Sequence, residues 1–427
     1  MSPAVILIGL FVLLAVAGVP IAYCLAVSSL VTAWYMGFPA VIVAQRIATG
    51  LQSFPLVAIP LFVLAGAIMA KGGVARRIVD FAYVLVGPLR GGLAMVNCIQ
   101  SMFFGGVSGS AIADISSTGP IMIPMMTQKG YDREFSTAIT VASATQGIII
   151  PPSHNMIIYA MTAGGVSVGA LFLAGYIPGI MIGVALMITS YIVALRKGYP
   201  REKRPPFRES VRIILDGILA MLAAVIIVGG IAFGIFTATE ASAIAVIYAA
   251  FLGLVVYREL RLTDLWPILR DSVKTISTVL FLIGSAAAFA WLLTRLQVPA
   301  MIMHTFLSMT SNRFVLLIII NILLSFLGMI MDVAPLIVIA TPILLPVVIA
   351  AGMSPVTFGI VLLLNLGIGL TTPPVGTGLF VGCAVGHTTV ERASRAMIRF
   401  WPAMLSVLFL VTFIPWFTTF VPGLFGK

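Results

Sequence analysis

Two stretches of the sequence set consecutive prolines in the middle of about thirty apolar residues. They are Ala144-Thr145-Gln146-Gly147-Ile148-Ile149-Ile150-Pro151-Pro152-Ser153-His154-Asn155 and Asn365-Leu366-Gly367-Ile368-Gly369-Leu370-Thr371-Thr372-Pro373-Pro374-Val375-Gly376-Thr377. A Pro-Pro pair removes two amide donors and strands carbonyls, which hydrocarbon tolerates only where the backbone lines a cavity or holds an ion. Unwound carbonyls together with Ser, Thr and Asn oxygens suit a hard cation, and the opened helix N-termini favour an anionic group. A kink satisfied by neighbouring helices is the plainer alternative, weaker for a matched pair than for a single site.

Charged side chains away from the basic loops are few. Asp332, in Met331-Asp332-Val333-Ala334-Pro335, is an isolated carboxylate within an apolar run, costly at that depth and therefore a candidate for function. Arg295 ends the apolar segment Ala290-Trp291-Leu292-Leu293-Thr294-Arg295. It suits bidentate pairing with a substrate carboxylate, and it equally suits a snorkelling position at the membrane interface. Asp114 is less clear, and Glu240, after Thr237-Ala238-Thr239, suits a helix cap.

A second kind of interruption lies in Phe104 to Met126, where Gly105-Gly106-Val107-Ser108-Gly109-Ser110-Ala111 is small and polar. Read as one helix, the segment spans a bilayer and its small residues serve packing. Read as two half-length arms, it is a re-entrant hairpin, with a partner from Phe326 to Val348. The hairpin is the favoured reading, because the chain is basic just beyond the first segment.

Breaks of this kind need long apolar helices around them, and the composition supplies these. Hydrophobic residues make up 61% of the 427 and charged residues 9%, with a mean hydropathy of +1.17. Nearly every long stretch meets the requirement of about 20 apolar residues for a span. The longest plainly polar segment is Arg196 to Glu209, too short for a globular extramembrane domain. The net charge of +11 does not imply nucleic acid: 19 of the 24 Lys and Arg residues fall at Lys71 to Arg77, Lys129 to Arg133, Arg196 to Arg212, Arg258 to Lys274 and Arg392 to Arg399. That is the pattern of cytoplasmic loops facing an anionic lipid leaflet.

The breaks are duplicated. At an offset of 222 residues, Phe104 to Pro152 aligns with Phe326 to Pro374 without a gap, and ten of the 49 positions are identical. Pro120, Pro124, Pro151 and Pro152 meet Pro342, Pro346, Pro373 and Pro374; Gly106, Gly130 and Gly147 meet Gly328, Gly352 and Gly369. Shared proline and glycine spacing predicts the same series of breaks and bends twice. Lys129 to Arg133 is basic while its counterpart, Ala350 to Pro355, is uncharged; Thr162 to Gly169 is uncharged while His387 to Arg399 is basic. Opposite signatures at equivalent loops predict opposite orientations, that is, an inverted repeat.

The expected fold is therefore an all-α polytopic membrane protein of two inverted repeats with re-entrant hairpins and broken transmembrane helices. Residues 1–195 form the first repeat, with a hairpin entering from the cytoplasm at about 104–126. Residues 196–210 form a basic cytoplasmic linker, and 211–427 the second repeat, with a hairpin entering from outside at about 326–348. The loop near Gly130 and the linker near Lys203 are expected in the cytoplasm.

No enzyme chemistry is expected. His154, His304 and His387 lack metal-site spacing, and Gly165-Val166-Ser167-Val168-Gly169 fits a hydrolase elbow only as a string, since no strand precedes it. No lysine carries the P-loop pattern. Cys24, Cys98 and Cys383 sit in apolar runs as small hydrophobes. Gly179 to Gly183 and Gly230 to Gly234 read as helix-packing pairs.

Gly105-Gly106-Val107-Ser108-Gly109-Ser110-Ala111-Ile112-Ala113-Asp114, Pro151-Pro152-Ser153, Gly234-Ile235-Phe236-Thr237-Ala238-Thr239-Glu240-Ala241 and Leu370-Thr371-Thr372-Pro373-Pro374-Val375-Gly376 together resemble the large membrane subunit of tripartite ATP-independent periplasmic (TRAP) transporters. Ala238 stands where that family is expected to have proline. The resemblance implies an elevator-type carrier of the ion transporter superfamily in a bacterial inner membrane. It implies coupling to Na+, a small four-helix membrane subunit, and a periplasmic binding protein that delivers an organic acid such as a C4-dicarboxylate or sialic acid. It also implies one sodium site at Ser108, Ser110, Gly147, Pro151 and Asn155, and a second at Gly328, Asp332, Gly369, Thr372 and Val375. The substrate anion is expected at Arg295, with Ser110 and Asp332 lining the same cavity. A stand-alone sodium-coupled anion carrier of the same fold, and a channel, are the rival readings.

Overall fold

The computed structural model describes residues 2–202, 204–310 and 312–426, and it is helical throughout. The linker residue Lys203 lies outside the described residues. The first half contains α1 (Pro3–Val16), α2 (Ile21–Tyr35), α3 (Ala40–Gly50), α4 (Ala58–Lys71), α5 (Val74–Val86), α6 (Gly92–Ser108), α7 (Ala111–Gln128), α8 (Arg133–Ala144), the short α9 (Gln146–Ile149), α10 (His154–Ala163) and α11 (Val168–Lys197). The second half contains α12 (Phe207–Ala232), α13 (Ala238–Phe251), α14 (Leu262–Arg295), α15 (Val298–Met309), α16 (Arg313–Gly328), α17 (Val333–Ala350), α18 (Pro355–Leu370), α19 (Thr377–Gly386), α20 (Val390–Met397), α21 (Trp401–Phe413) and α22 (Trp416–Leu424). Among the described residues, six helical segments are long and apolar enough to cross a membrane, and α20 with α21, bent at 54°, makes a seventh. This is the architecture of a multi-span membrane protein.

Local chemistry sets the helix ends. Ser2, Ser167, Asn312 and Ser354 each accept a backbone N–H of the helix that follows. Thr237 and Glu240 form a reciprocal capping box at the start of α13, the role expected of Glu240. Ser167, the centre of the hydrolase-like string, is thus a helix cap. Gly130 and Gly352, matched at the repeat offset, both turn the chain at positive φ, +86° and +77°, where a side chain is disfavoured.

The first hairpin is α6 and α7, reversing at Gly109-Ser110. Its arms are antiparallel, since Gln100 Nε2 donates to Thr118 Oγ1 across the turn at 3.1 Å. The second is α16 and α17, reversing over Met329 to Asp332. Both exceed the expected limits of 104–126 and 326–348, because the first arms begin at Gly92 and Arg313. Those arms are uninterrupted apolar helix, so only the turn at Gly91 (φ +70°) and the Asn312 cap mark their starts.

The matched prolines divide into two classes. Pro120 and Pro124 lie inside α7, and Pro342 and Pro346 inside α17, without ending either helix. Only the Pro-Pro pairs open the chain, between α9 and α10 and between α18 and α19, and both of these peptide bonds are cis. The pair Gly179 and Gly183 packs as expected, against Ile150 and against Met102 with Gln146. Gly230 and Gly234 do not form such a pair: α12 ends at Ala232, and Gly234 serves the turn at φ +71°.

Helices related by the offset exchange partners across the two halves. The α2 helix packs on α14 while α13 packs on α4, and α10 packs on α17 while α19 packs on α7. Tyr159 of α10 donates to the Pro355 carbonyl at 2.5 Å, and its ring lies against Gly359. One apolar core, from Leu25 through Phe172 to Leu363, therefore runs through both halves.

At one end of the molecule the loop after α7 is tied to the linker. Lys197 pairs with Asp132, and Tyr199 donates to Asp132 Oδ2 at 2.9 Å. Lys129 pairs with Glu202 at 3.0 Å, and Tyr83 donates to Glu202 at 3.2 Å. The hydrogen bond from Lys197 holds the Asp132 carboxyl below its ordinary range. A depressed carboxylate pKa adds stability above the unfolded value, and that contribution disappears as pH falls through the folded value. Lys197→Met should thus lower the melting temperature at neutral pH, and the gap from wild type should close on acidification below the ordinary carboxylate range. A gap that persists in acid would show that the ion pair is not its source.

Candidate functional site

Each Pro-Pro break packs on the hairpin tip of its own half. In the first half, a Cβ added to Gly147 would lie 2.9 Å from the Gly105 Cα. Asn155 Nδ2 donates to the Gly109 carbonyl at 3.3 Å, and Ser108 Oγ lies 3.5 Å from the Ser110 carbonyl. Ser153 Oγ donates to the Ile148 carbonyl at 2.8 Å, satisfying one acceptor opened by Pro151 and Pro152. Ser108, Ser110, Gly147, Pro151 and Asn155 therefore converge on one tip and one break.

The second half repeats this construction. Gly369 packs on the Gly328 backbone, and the Met329 carbonyl accepts from the amides of Val375 (3.0 Å) and Gly376 (3.4 Å). Thr371 and Thr372 turn their hydroxyls back to the Ile368 carbonyl at 2.7 and 2.8 Å. Thr377 Oγ1 donates to Asp332 Oδ1 at 3.3 Å. Gly328, Asp332, Gly369, Thr372 and Val375 thus gather at the second tip and break. Among the described residues no three His, Cys, Asp or Glu side chains cluster. The oxygens on offer at both tips are chiefly backbone carbonyls and hydroxyls, ligands that suit a hard cation.

The two tips face a common cavity of about 660 Å³. Ser110 and Asp332, equivalent at the repeat offset, are the N-caps of α7 and α17: Ser110 Oγ accepts from the Ala113 amide at 3.3 Å, and Asp332 Oδ1 from the Val333 amide at 2.9 Å. Two helix N-termini thus open on one space, each carrying the partial positive charge of its unpaired amides. Ser116 and Ser117 of α7, and His154 and Asn155 at the start of α10, line the same wall. Lys71 at the end of α4, with Asp271 and Thr275 of α14, lines the remainder.

Arg295 is not among the lining residues. It ends α14, exposed, more than four turns of helix beyond Val279, the last α14 residue on the cavity wall. The structure thus does not bring Arg295 together with Ser110 and Asp332 in this cavity: α14 runs unbroken for 34 residues and carries Arg295 away from the tips. Arg295→Ala should leave transport unchanged in proteoliposomes, and a large loss would require a route for the anion outside this cavity. The cation sequence reasoning missed is Lys71, which reads as the first member of a basic loop. Among the described lining residues it is the only Lys or Arg, and no ion pair engages it.

The family model described as "Tripartite ATP-independent periplasmic transporter, DctM component" matches residues 7–417. The sialic acid TRAP transporter large permease protein SiaM of Vibrio cholerae is 40% identical over 382 residues, covering 90% of this chain and 89% of that protein. The C4-dicarboxylate TRAP transporter large permease protein DctM of Pseudomonas aeruginosa is 39% identical over 375 residues, covering 88% of each. Among solved structures, the Alcanivorax borkumensis YdaH transporter superposes with a TM-score of 0.61 over 87% of this chain and 86% of its own, at 15% identity, a likeness of fold alone.

Proposed function

Because the chain belongs to the DctM component family of TRAP transporters, as a multi-span large permease subunit and not an enzyme, we propose that it imports an organic acid across a bacterial inner membrane, driven by sodium ions. The observation that carries this reading is the pairing of two hairpin tips, each packed on its own Pro-Pro break, around one cavity. An anion fits between the N-termini of α7 and α17, beside Ser110 and Asp332. Sodium ions fit the carbonyl-rich junctions behind the tips, at Ser108, Ser110, Gly147, Pro151 and Asn155, and at Gly328, Asp332, Gly369, Thr372 and Val375. Bound there, each ion would draw a tip against its break and neutralise part of the charge that the anion meets.

The basic groups Lys71 to Arg77 and Arg258 to Lys274 belong in the cytoplasm by the positive-inside rule. The cavity, walled by Lys71 and Asp271, then opens inward, so this is the releasing state of an alternating-access cycle. The opposite loop charges of the two halves support their inverted insertion, with the first hairpin entering from the cytoplasm and the second from outside. A TRAP system implies a periplasmic binding protein and further subunits; a small four-helix membrane subunit completes the assembly in this reading. The binding protein does most of the selection, and the substrate falls among carboxylates of the sialic acid and C4-dicarboxylate kind.

The test is uptake by proteoliposomes holding the chain and its small subunit, supplied with binding protein charged with labelled sialic acid or a C4-dicarboxylate. Saturable uptake that needs both the binding protein and an inward sodium gradient is expected. Uptake without the binding protein would favour a stand-alone carrier, and non-saturating flux a channel.

A further inference from the structure

The polar groups of the cavity wall extend well beyond the tips. Ser110 caps α7, and Ser116 and Ser117, further along the same helix, line the same space. At 1.5 Å per residue, α7 carries Ser117 about 10 Å from the cap. Ser116 is exposed and Ser117 half-buried, so their hydroxyls can be met from the cavity. A second wall gives a similar length. Gly66 of α4 packs on the tip, where an added Cβ would lie 3.1 Å from the Ser108 Cα, and Lys71 follows about 7.5 Å further along the α4 axis.

The third wall, α14, adds an acceptor. Asp271 and Thr275 line the cavity and are exposed. Thr275 Oγ1 donates to the Asp271 carbonyl at 3.3 Å. The Asp271 carboxylate has only loose contacts with Arg270 and Lys274, both at 4.0 Å.

These groups discriminate between kinds of acid. With one carboxylate seated between the N-termini of α7 and α17, the second carboxyl carbon of a four-carbon diacid lies three C–C bonds away, about 4 Å. That is well short of Ser116 and Ser117. A six-carbon acid with a terminal hydroxyl covers about 8 Å, and a hydrogen bond of about 2.8 Å closes the remainder. The chemistry points the same way. A hydroxyl group donates and accepts, which matches serine and threonine, and neighbouring hydroxyls can both donate to the acceptor-only carboxylate of Asp271. A second carboxylate on the substrate has no proton to give, and it meets like charge at Asp271. Lys71, the only Lys or Arg among the described lining residues, is exposed, where screening limits what it returns.

We propose that the cavity is built for a monocarboxylate carrying several hydroxyl groups on a skeleton of about six carbons or more, with Ser116, Ser117 and Asp271 as specificity-determining residues. This rests on the organic-acid reading given above and narrows it, making four-carbon diacids the poorer ligands. A cavity of about 660 Å³ has room for the larger acid.

Calorimetric binding to the full chain with its small membrane subunit, in lipid nanodiscs and sodium buffer, tests the assignment. Gluconate, galactonate and sialic acid are the hydroxylated probes, succinate the diacid, and hexanoate the acid without hydroxyls. The best hydroxylated probe should bind about tenfold or more tightly than succinate or hexanoate, the worth of one hydrogen bond to a charged group. Asp271→Ala should weaken that probe about tenfold and leave hexanoate unchanged; Asp271→Lys should also improve succinate. Asp271 is an exposed side chain, so folding is not at stake in these variants. Ser116→Ala and Ser117→Ala should each weaken the hydroxylated probe by about threefold. Succinate binding as tightly as every hydroxylated probe overturns the proposal and leaves the organic-acid reading intact. So does an Asp271→Ala variant that binds the hydroxylated probe as wild type does, or that loses it and hexanoate equally. If none of these acids binds, the organic-acid reading falls, and the proposal with it.

Discussion

Gly369→Ala should weaken the sodium binding proposed above by roughly 100-fold. A Cβ at this position would lie 2.6 Å from both the Cα and the carbonyl oxygen of Gly328, and closer still to its carbonyl carbon. These are backbone atoms at a hairpin tip, so no side-chain rotation relieves the contact. Overpacking against backbone costs about 3 kcal/mol at the upper end of its usual range, which is roughly 100-fold in sodium affinity at 1.4 kcal/mol per tenfold. Melting of the purified protein across a sodium titration is the measurement. Gly229→Ala is the control, since nothing lies within 4 Å of the added carbon, and it should leave the titration unchanged. An unaltered sodium response in Gly369→Ala would sever the second hairpin from ion binding.

Lys71→Glu should raise the substrate concentration for half-maximal uptake by about tenfold, a little over 1 kcal/mol, while Lys71→Arg stays near wild type. The ammonium is the only lysine or arginine charge on the described cavity wall, and the wall already carries the carboxylates of Asp332 and Asp271. Reversing it leaves an anion to enter a space whose Lys, Arg, Asp and Glu side chains, among the described lining residues, are all acidic. Because Lys71 is exposed, screening keeps the effect modest, and it should shrink further as ionic strength rises. The readout is the half-saturation constant against maximal rate at two salt concentrations. An unchanged constant at low salt would remove Lys71 from the substrate path.

What the sequence discloses here depends on the chemistry of each feature. Prolines and glycines declare themselves, because their backbone limits hold in any surroundings; the two Pro-Pro breaks and the Gly130 and Gly352 turns were all legible. Pro120, Pro124, Pro342 and Pro346 were not separable from them, since a helix can run through proline when its freed carbonyls are satisfied by neighbours. The tips at Ser110 and Asp332 stood out as polar residues in apolar runs, but the first arms of the hairpins, plain apolar helix, left no mark of where they begin. Arg295 and Lys71 exchange roles for a purely spatial reason: only the course of the unbroken α14 decides which cation meets the cavity. A buried polar cluster that includes Asp114 carried a signal that was open to reading, since Asn97, Gln100 and Ser101 fall at helical spacing on one face, opposite Thr118, Thr140 and Ser143.

The exchange of partners between α2 and α13 on one side, and between α10 and α19 on the other, means that a chain of half this length would leave these seams uncovered. Each seam it presents is completed by the surface of a sibling, so the smallest self-sufficient particle made from such halves is a dimer. Joining them through a short tether raises the local concentration of each for the other. A folding step that would otherwise be second order in protein thereby becomes first order, and its yield no longer depends on how much is made.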